Sequence, residues 1–264
     1  MTSVQPLPGR NLEAVLEALA KVIQEAENVR SRQFDDYLQW VANSEVTLSS
    51  DYSSSDIASL LRSARFWQLW PQQSETLRPR INFQFALEIE DRLRVLKALH
   101  EGLVTQHRRW ANGAGEVALP DTNLLLNLAL PLDEVDWRVA LDARPGVRLV
   151  VPLVVIRELD RAKRNHQLKE KARRALSELE RLLPDEPDAR RTIQTGVGFI
   201  TSIELLVDDF DHVPMPTVDA EILAQARSLT TLGASRVCVV TGDVTMRRLA
   251  RAWGVRAVDM PDPE

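Results

Sequence analysis

The sequence predicts an α/β protein in which a central parallel sheet covered by helices follows an all-α N-terminal region. Three observations carry this prediction. Before Trp110, apolar residues recur at helical spacing over long stretches. After Gly115, short β-branched runs alternate with amphipathic stretches, the pattern of strands crossing over through helices. Between the two, Ala111-Asn112-Gly113-Ala114-Gly115 has the composition of a linker. The expected division is a helical domain over residues 1–112 and an α/β domain over 116–264.

In the first half, Leu12, Val15, Leu16, Leu19, Val22 and Ile23 share one helical face, as do Phe85, Ile89, Leu93, Leu96 and Leu103. Between them Ser53-Ser54-Ser55-Asp56 reads as a turn with a helix N-cap, followed by Ile57, Leu60 and Leu61. Most aromatic residues fall here, including Trp40, Trp67, Trp70 and Trp110. Rings of this kind can stack on bases, but filling a small helical core or a dimer seam is the expected role. In the second half, Val117–Leu119, Arg148–Val151, Phe199–Val207, Arg236–Thr241 and Val255–Val258 read as strands. Pro184-Asp185-Glu186-Pro187 reads as an ordinary loop.

A chain of 264 residues has room for one large domain or two modest ones. Its formal net charge of -5 does not advertise nucleic-acid binding, so any such function must come from a local basic patch. The sole cysteine, Cys238, rules out an intrachain disulfide and fits a reducing compartment. No apolar h-region follows the N-terminus, and the longest apolar stretch of the second half, Leu149–Ile156, is far short of the ~20 residues of a membrane helix. A soluble, cytoplasmic protein is expected, with no membrane partner.

Sites of open parallel sheets lie beyond the carboxyl ends of the strands. Asp121 closely follows the first strand, Asp243 follows the fourth, and Asp219 opens the helix VDAEILAQARSL. Glu158 lies in the helix leaving the second strand. Any of the three aspartates alone is readily explained as a helix cap, and Glu158 alone as a solvated residue. Repeated caps at one edge of one sheet are harder to explain, because converging carboxylates repel. A divalent cation relieves that repulsion, and hard oxygen donors without clustered His or Cys favour Mg²⁺ or Mn²⁺ over zinc. His100, His107, His166 and His212 are scattered, with no obvious partners, and are expected at the surface.

The blocks DTNLLL at Asp121, RELDRAKR at Glu158, VDAEILAQA at Asp219 and TGDVTMRRLA at Asp243 resemble the four signature blocks of the PIN-domain nucleases, in family order, over about residues 117–259. The E-L-D-x-x-K pattern is similar to the longer PIN group of RNA-decay factors and PhoH-associated domains. The resemblance implies a three-layer α/β/α fold. It also implies that Asp121, Glu158, Asp219 and Asp243 hold one or two Mg²⁺ or Mn²⁺ ions, with Asn123 and Thr241 in support. Many members carry a further acid a few positions after the last Asp, where this chain has Met246. The implied activity is metal-dependent hydrolysis of RNA, taken as endonucleolytic, in which bound metal activates water and neutralises phosphate charge.

Arg161, Lys163, Arg164, Lys169, Lys171, Arg173 and Arg174 crowd a short stretch that contains a single acid, Glu170; Arg247, Arg248 and Arg251 follow Asp243. Charge runs are usually solvated faces, but next to an acidic site these groups are expected to neutralise phosphates. Other readings are a DNA nuclease of the same fold, a catalytically degenerate PIN module acting as an RNA- or protein-binding scaffold, and a toxin with an antitoxin partner. The helical half is open to RNA binding, homo-oligomerisation or autoinhibition.

Overall fold

The computed structural model describes residues 4–30, 34–69, 78–111, 115–143, 145–186, 189–196, 199–208 and 212–259. Trp70, the linker residues Asn112, Gly113 and Ala114, and Pro187 lie outside them. The chain divides into two compact units, 3–110 and 111–264.

The first unit is helical: α1 (Leu12–Val29), α2 (Phe34–Leu48), α3 (Ser54–Leu61), α4 (Ala64–Leu69) and α5 (Arg78–Ala111). Side chains that lack an intrahelical rival cap the starts. Asn11 Oδ1 accepts the Glu13 amide at 2.8 Å, and Ser53 Oγ accepts the Asp56 amide at 3.2 Å. Tyr37 packs against the rings of Trp40, Phe66 and Phe85, at centroid separations of 5.6, 6.0 and 5.2 Å. Trp40 and Trp110 are buried, in line with the core role expected of the aromatic residues, whereas Trp67 is 55 % exposed. A carboxylate sits inside this apolar unit. Glu88 is fully buried, accepts the Ser63 hydroxyl at 2.6 Å and lies 3.4 Å from Arg92 Nε, which answers its desolvation.

The second unit runs β1 (Glu116–Pro120), α6 (Thr122–Asn127), α7 (Trp137–Leu141), β2 (Gly146–Pro152), α8 (Leu153–Ala162), α9 (Lys169–Leu182), β3 (Arg191–Gly196), β4 (Phe199–Leu206), α10 (Val218–Thr231), β5 (Val237–Val240), α11 (Val244–Ala252) and β6 (Arg256–Val258). The six strands order β3-β4-β2-β1-β5-β6, all parallel except β3, which runs antiparallel to β4. Every residue of β1 and β2 is buried, so both faces of the sheet centre are covered and the unit is three-layered. The sequence reading missed β3. Its residues RTIQTG are polar and exposed or half-buried, as befits an edge strand, and carry no apolar alternation to reveal it. Among the described residues no helix is long and apolar enough to cross a membrane.

Two glycines let the central strands close. Gly115 has φ +121°, and a Cβ there would stand 2.4 Å from the Gly146 carbonyl oxygen; a Cβ on Gly146 would stand 2.4 Å from that of Ile200. A buried ion pair joins β2 to β4, in which Arg148 reaches Glu204 through two nitrogens, one of them at 2.8 Å. Removing one partner strands the other charge in the interior. Arg148→Met is therefore expected to cost about 3–5 kcal/mol in urea unfolding, whereas Arg148→Met with Glu204→Leu recovers most of that loss. Additive losses in the double variant would show that the pair is not the source of the cost.

Candidate metal centre

From β1 the chain runs to β2 and β4 on one side, then returns to add β5 and β6 on the other. That reversal opens a crevice beyond the carboxyl ends of β1 and β5. Asp121 follows β1 directly and is the N-cap of α6: its Oδ1 accepts the Leu124 amide at 2.6 Å. Asp243 follows β5 by way of Thr241-Gly242 and caps α11, with Oδ1 accepting the Thr245 amide at 2.6 Å. Thr241 links the two. Its hydroxyl is fully buried, donates to Asp121 Oδ2 and accepts the Asp243 amide at 3.0 Å.

Glu158 lies on α8, where its Oε2 accepts the Thr122 hydroxyl. Asp219 sits in the first turn of α10, whose cap is not Asp219 but Thr217, accepting the Ala220 amide at 3.2 Å. Asp121, Glu158 and Asp219 line one cleft of about 370 Å³ together with Thr122, Asn123, Arg161 and Asn165. Asp243 is not part of that lining, but its charge reaches both Asp121 and Asp219.

Burial is the main reason the Asp121 carboxyl is raised above its ordinary value; the Thr241 and Leu124 hydrogen bonds oppose the rise, and Asp219 and Asp243 add to it. Asp219 is likewise raised by burial, then by the charges of Asp243 and Glu158. Among the described residues none of the four forms an ion pair with Lys, Arg or His. The donor set is thus all oxygen and mutually repelling, with Arg161 on the same cleft but, among the described residues, in no ion pair with it, which fits a hard divalent ion. The four are nonetheless more loosely spaced than a closed coordination shell. Among the described residues, the group of three or more candidate ligands whose donor atoms all lie within 4.8 Å of one another is Asp208, His212 and Glu221.

The basic stretch is split between the end of α8, the connection after it, and α9. Arg161 lines the cleft and, with Arg164, Lys169, Arg248 and Arg251, is exposed. Other members have local partners. Lys163 pairs with Asp160 and Arg173 with Glu170. Lys171 donates to Asn127 Oδ1 at 2.8 Å and Arg174 to the Leu128 carbonyl at 2.6 Å, tying α9 to the end of α6. Arg247 pairs with Asp259 and donates to the Thr241 and Gly242 carbonyls at 3.3 Å each, bracing the loop that carries Asp243.

Sequence reasoning overlooked Thr122 and Asn165 at the cleft, and it misjudged His212. That imidazole is paired with Glu221, with Nε2 2.7 Å from Oε1. Met246 is fully buried. Cys238 is buried too, its thiol pushed up by burial and by Glu116, and so is no nucleophile.

Because the folded protein raises the Asp219 pKa, the ionised form costs more in the native state than in the unfolded chain. The contribution of Asp219 to stability is therefore least unfavourable below the ordinary carboxylate range and worsens as pH rises through the raised value. In metal-free buffer, Asp219→Asn is expected to raise the melting temperature at pH 7, with the gain disappearing toward pH 3. A gain independent of pH would mean that charge is not its cause.

No curated protein is significantly similar to this chain. The family model described as the PIN domain matches residues 118–261, more than half of the chain, and takes in all four carboxylates. The chain belongs to the PIN-domain nuclease family.

Proposed function

We propose that this protein is a Mg²⁺- or Mn²⁺-dependent ribonuclease whose centre is Asp121, Glu158, Asp219 and Asp243. The observation that carries the reading is electrostatic: among the described residues no Lys, Arg or His pairs with any of the four carboxylates, and burial first, then the neighbouring carboxylates, raises Asp121 and Asp219. Asp121, Asp219 and Asp243 would hold one or two ions, with Glu158 bridging or acting through water. When bound, the ion supplies Lewis acidity that neutralises phosphate charge and activates a water.

The chain's own residues do the positioning. Thr241 fixes Asp121 and the Asp243 backbone together, so the ends of β1 and β5 present their carboxylates as one unit. Thr122 engages one oxygen of Glu158 and leaves Oε1 to bind or to take a proton. Asn123, exposed at the cleft, is a polar neighbour for the ion's water or for substrate. Arg161 at the cleft, with Arg164, Lys169 and Arg248 exposed on the same unit, would counter the backbone charge of RNA. Lys163, Lys171, Arg173, Arg174 and Arg247 add to the positive field while holding their local partners.

The test is cleavage of labelled single-stranded RNA and DNA of one sequence by the full chain, with Mn²⁺ or with EDTA. RNA cleavage that needs the ion is expected. Asp121→Asn and Asp243→Asn should each lower it on the order of 100-fold, and Thr122→Val about tenfold. Cleavage indifferent to Asp121→Asn would overturn the site. Preferential cutting of DNA would make the protein a DNA nuclease, and RNA binding without cutting would make it a scaffold.

A further inference from the structure

A second group of donors lies away from the crevice, between the end of β4 and α10. His212 Nε2 is 2.7 Å from Glu221 Oε1, and Glu221 Oε2 accepts the Met215 amide at 2.6 Å. Gln225, one turn along α10, donates from Nε2 to Asp208 Oδ1 at 2.7 Å and to Glu221 Oε1 at 3.2 Å. Candidate ligand atoms of Asp208, His212 and Glu221 all fall within 4.8 Å of one another.

Three features separate this group from an ordinary surface cluster. Glu221 is only 2 % exposed, so its charge has little water to solvate it. The set mixes one imidazole with two carboxylates, a combination suited to zinc and similar transition ions rather than to Mg²⁺ or Ca²⁺. The third concerns Gln225, whose amide faces both carboxylates: its Oε1 is buried with no hydrogen-bond partner among the described residues. Turning that amide over would place its oxygen toward the same point as the carboxylates, as a fourth donor. Burial also holds the Asp208 carboxyl above its ordinary value, with His212 opposing the rise and Glu221 adding to it.

We propose that Asp208, His212 and Glu221, with Gln225 beside them, form a transition-metal site of the Zn²⁺ class that is distinct from the nuclease centre. Glu221 follows Asp219 by two residues, which turns it about 200° around α10 and away from the crevice. The charges acting on Asp219 are those of Asp243 and Glu158, whereas those acting on Asp208 are His212, Glu221 and Arg157. An ion here would cross-link the end of β4 to α10 and so brace the first turn, which presents Asp219.

The experiment uses the full chain carrying Asp121→Asn and Asp243→Asn, which disables the crevice, and reads Co²⁺ binding by its visible absorption with Zn²⁺ as competitor. One Co²⁺ per chain, displaced by Zn²⁺, is expected. Adding His212→Ala should weaken binding about 100-fold and Gln225→Leu about tenfold. Glu221→Gln serves as a second ligand variant, with circular dichroism confirming that each variant is folded. The site is overturned if the parent takes up no Co²⁺, or if folded His212→Ala and Glu221→Gln variants bind it as the parent does. Because cleavage is never read, the outcome is independent of the nuclease assignment.

Discussion

Repulsion among carboxylates at the carboxyl ends of β1 and β5 is the constraint that organises the second unit. Folding brings Asp121, Asp219, Asp243 and Glu158 close enough for charge to act between them, and Asp121 and Asp219 rise in pKa through burial first and those charges second. Such an arrangement opposes folding unless something balances it. The described residues offer no ion pair to any of the four. The remaining compensation inside the protein is neutral hydrogen bonding from Thr241, Thr122 and the amides of Leu124, Thr245 and Met246. These donors orient the carboxylates and leave most of their charge to be met from outside.

The rest of the unit tolerates this strain because its centre is rigid. β1 and β2 are buried along their whole lengths, and β1 is held by parallel ladders on both sides. Gly115 and Gly146 permit the close backbone approach at the start of these strands, so their opposite ends are fixed in register. Thr241 then couples the β1 end to the β5 end through a single buried hydroxyl. Glu158 and Asp219 arrive on α8 and α10, elements that pack on one another and on β2 and β5 respectively.

Much of this was legible in the sequence, for identifiable reasons. The interior strands β1, β2, β4 and β5 read as apolar, β-branched runs, and the edge strand β6 still falls within the run Val255 to Val258, whereas polar β3 offers no such signal. Asp121 and Asp243 read as helix caps, and they are caps; one oxygen of each binds the helix start, and Asp121 also lines the cleft. Asp219 looked like a cap too, but Thr217 performs that task and leaves the aspartate without a helix amide to bind. Met246, where many PIN domains carry a further acid, is fully buried. What could not be read was pairing across distance. Thr122 with Glu158 and His212 with Glu221 depend on how loops return, and no spacing rule announces them. The basic run misled in another way, because composition cannot tell an arginine free for phosphate from one, such as Arg174, already bound to a backbone carbonyl.

The central claim is that the four carboxylates share a cation, and anomalous diffraction from Mn²⁺-soaked crystals measures this most directly. The account predicts a manganese peak within coordination distance of Asp121, Asp219 and Asp243, close to Glu158. A map with no peak in the crevice at saturating Mn²⁺, or with an arginine side chain occupying that position, would contradict it.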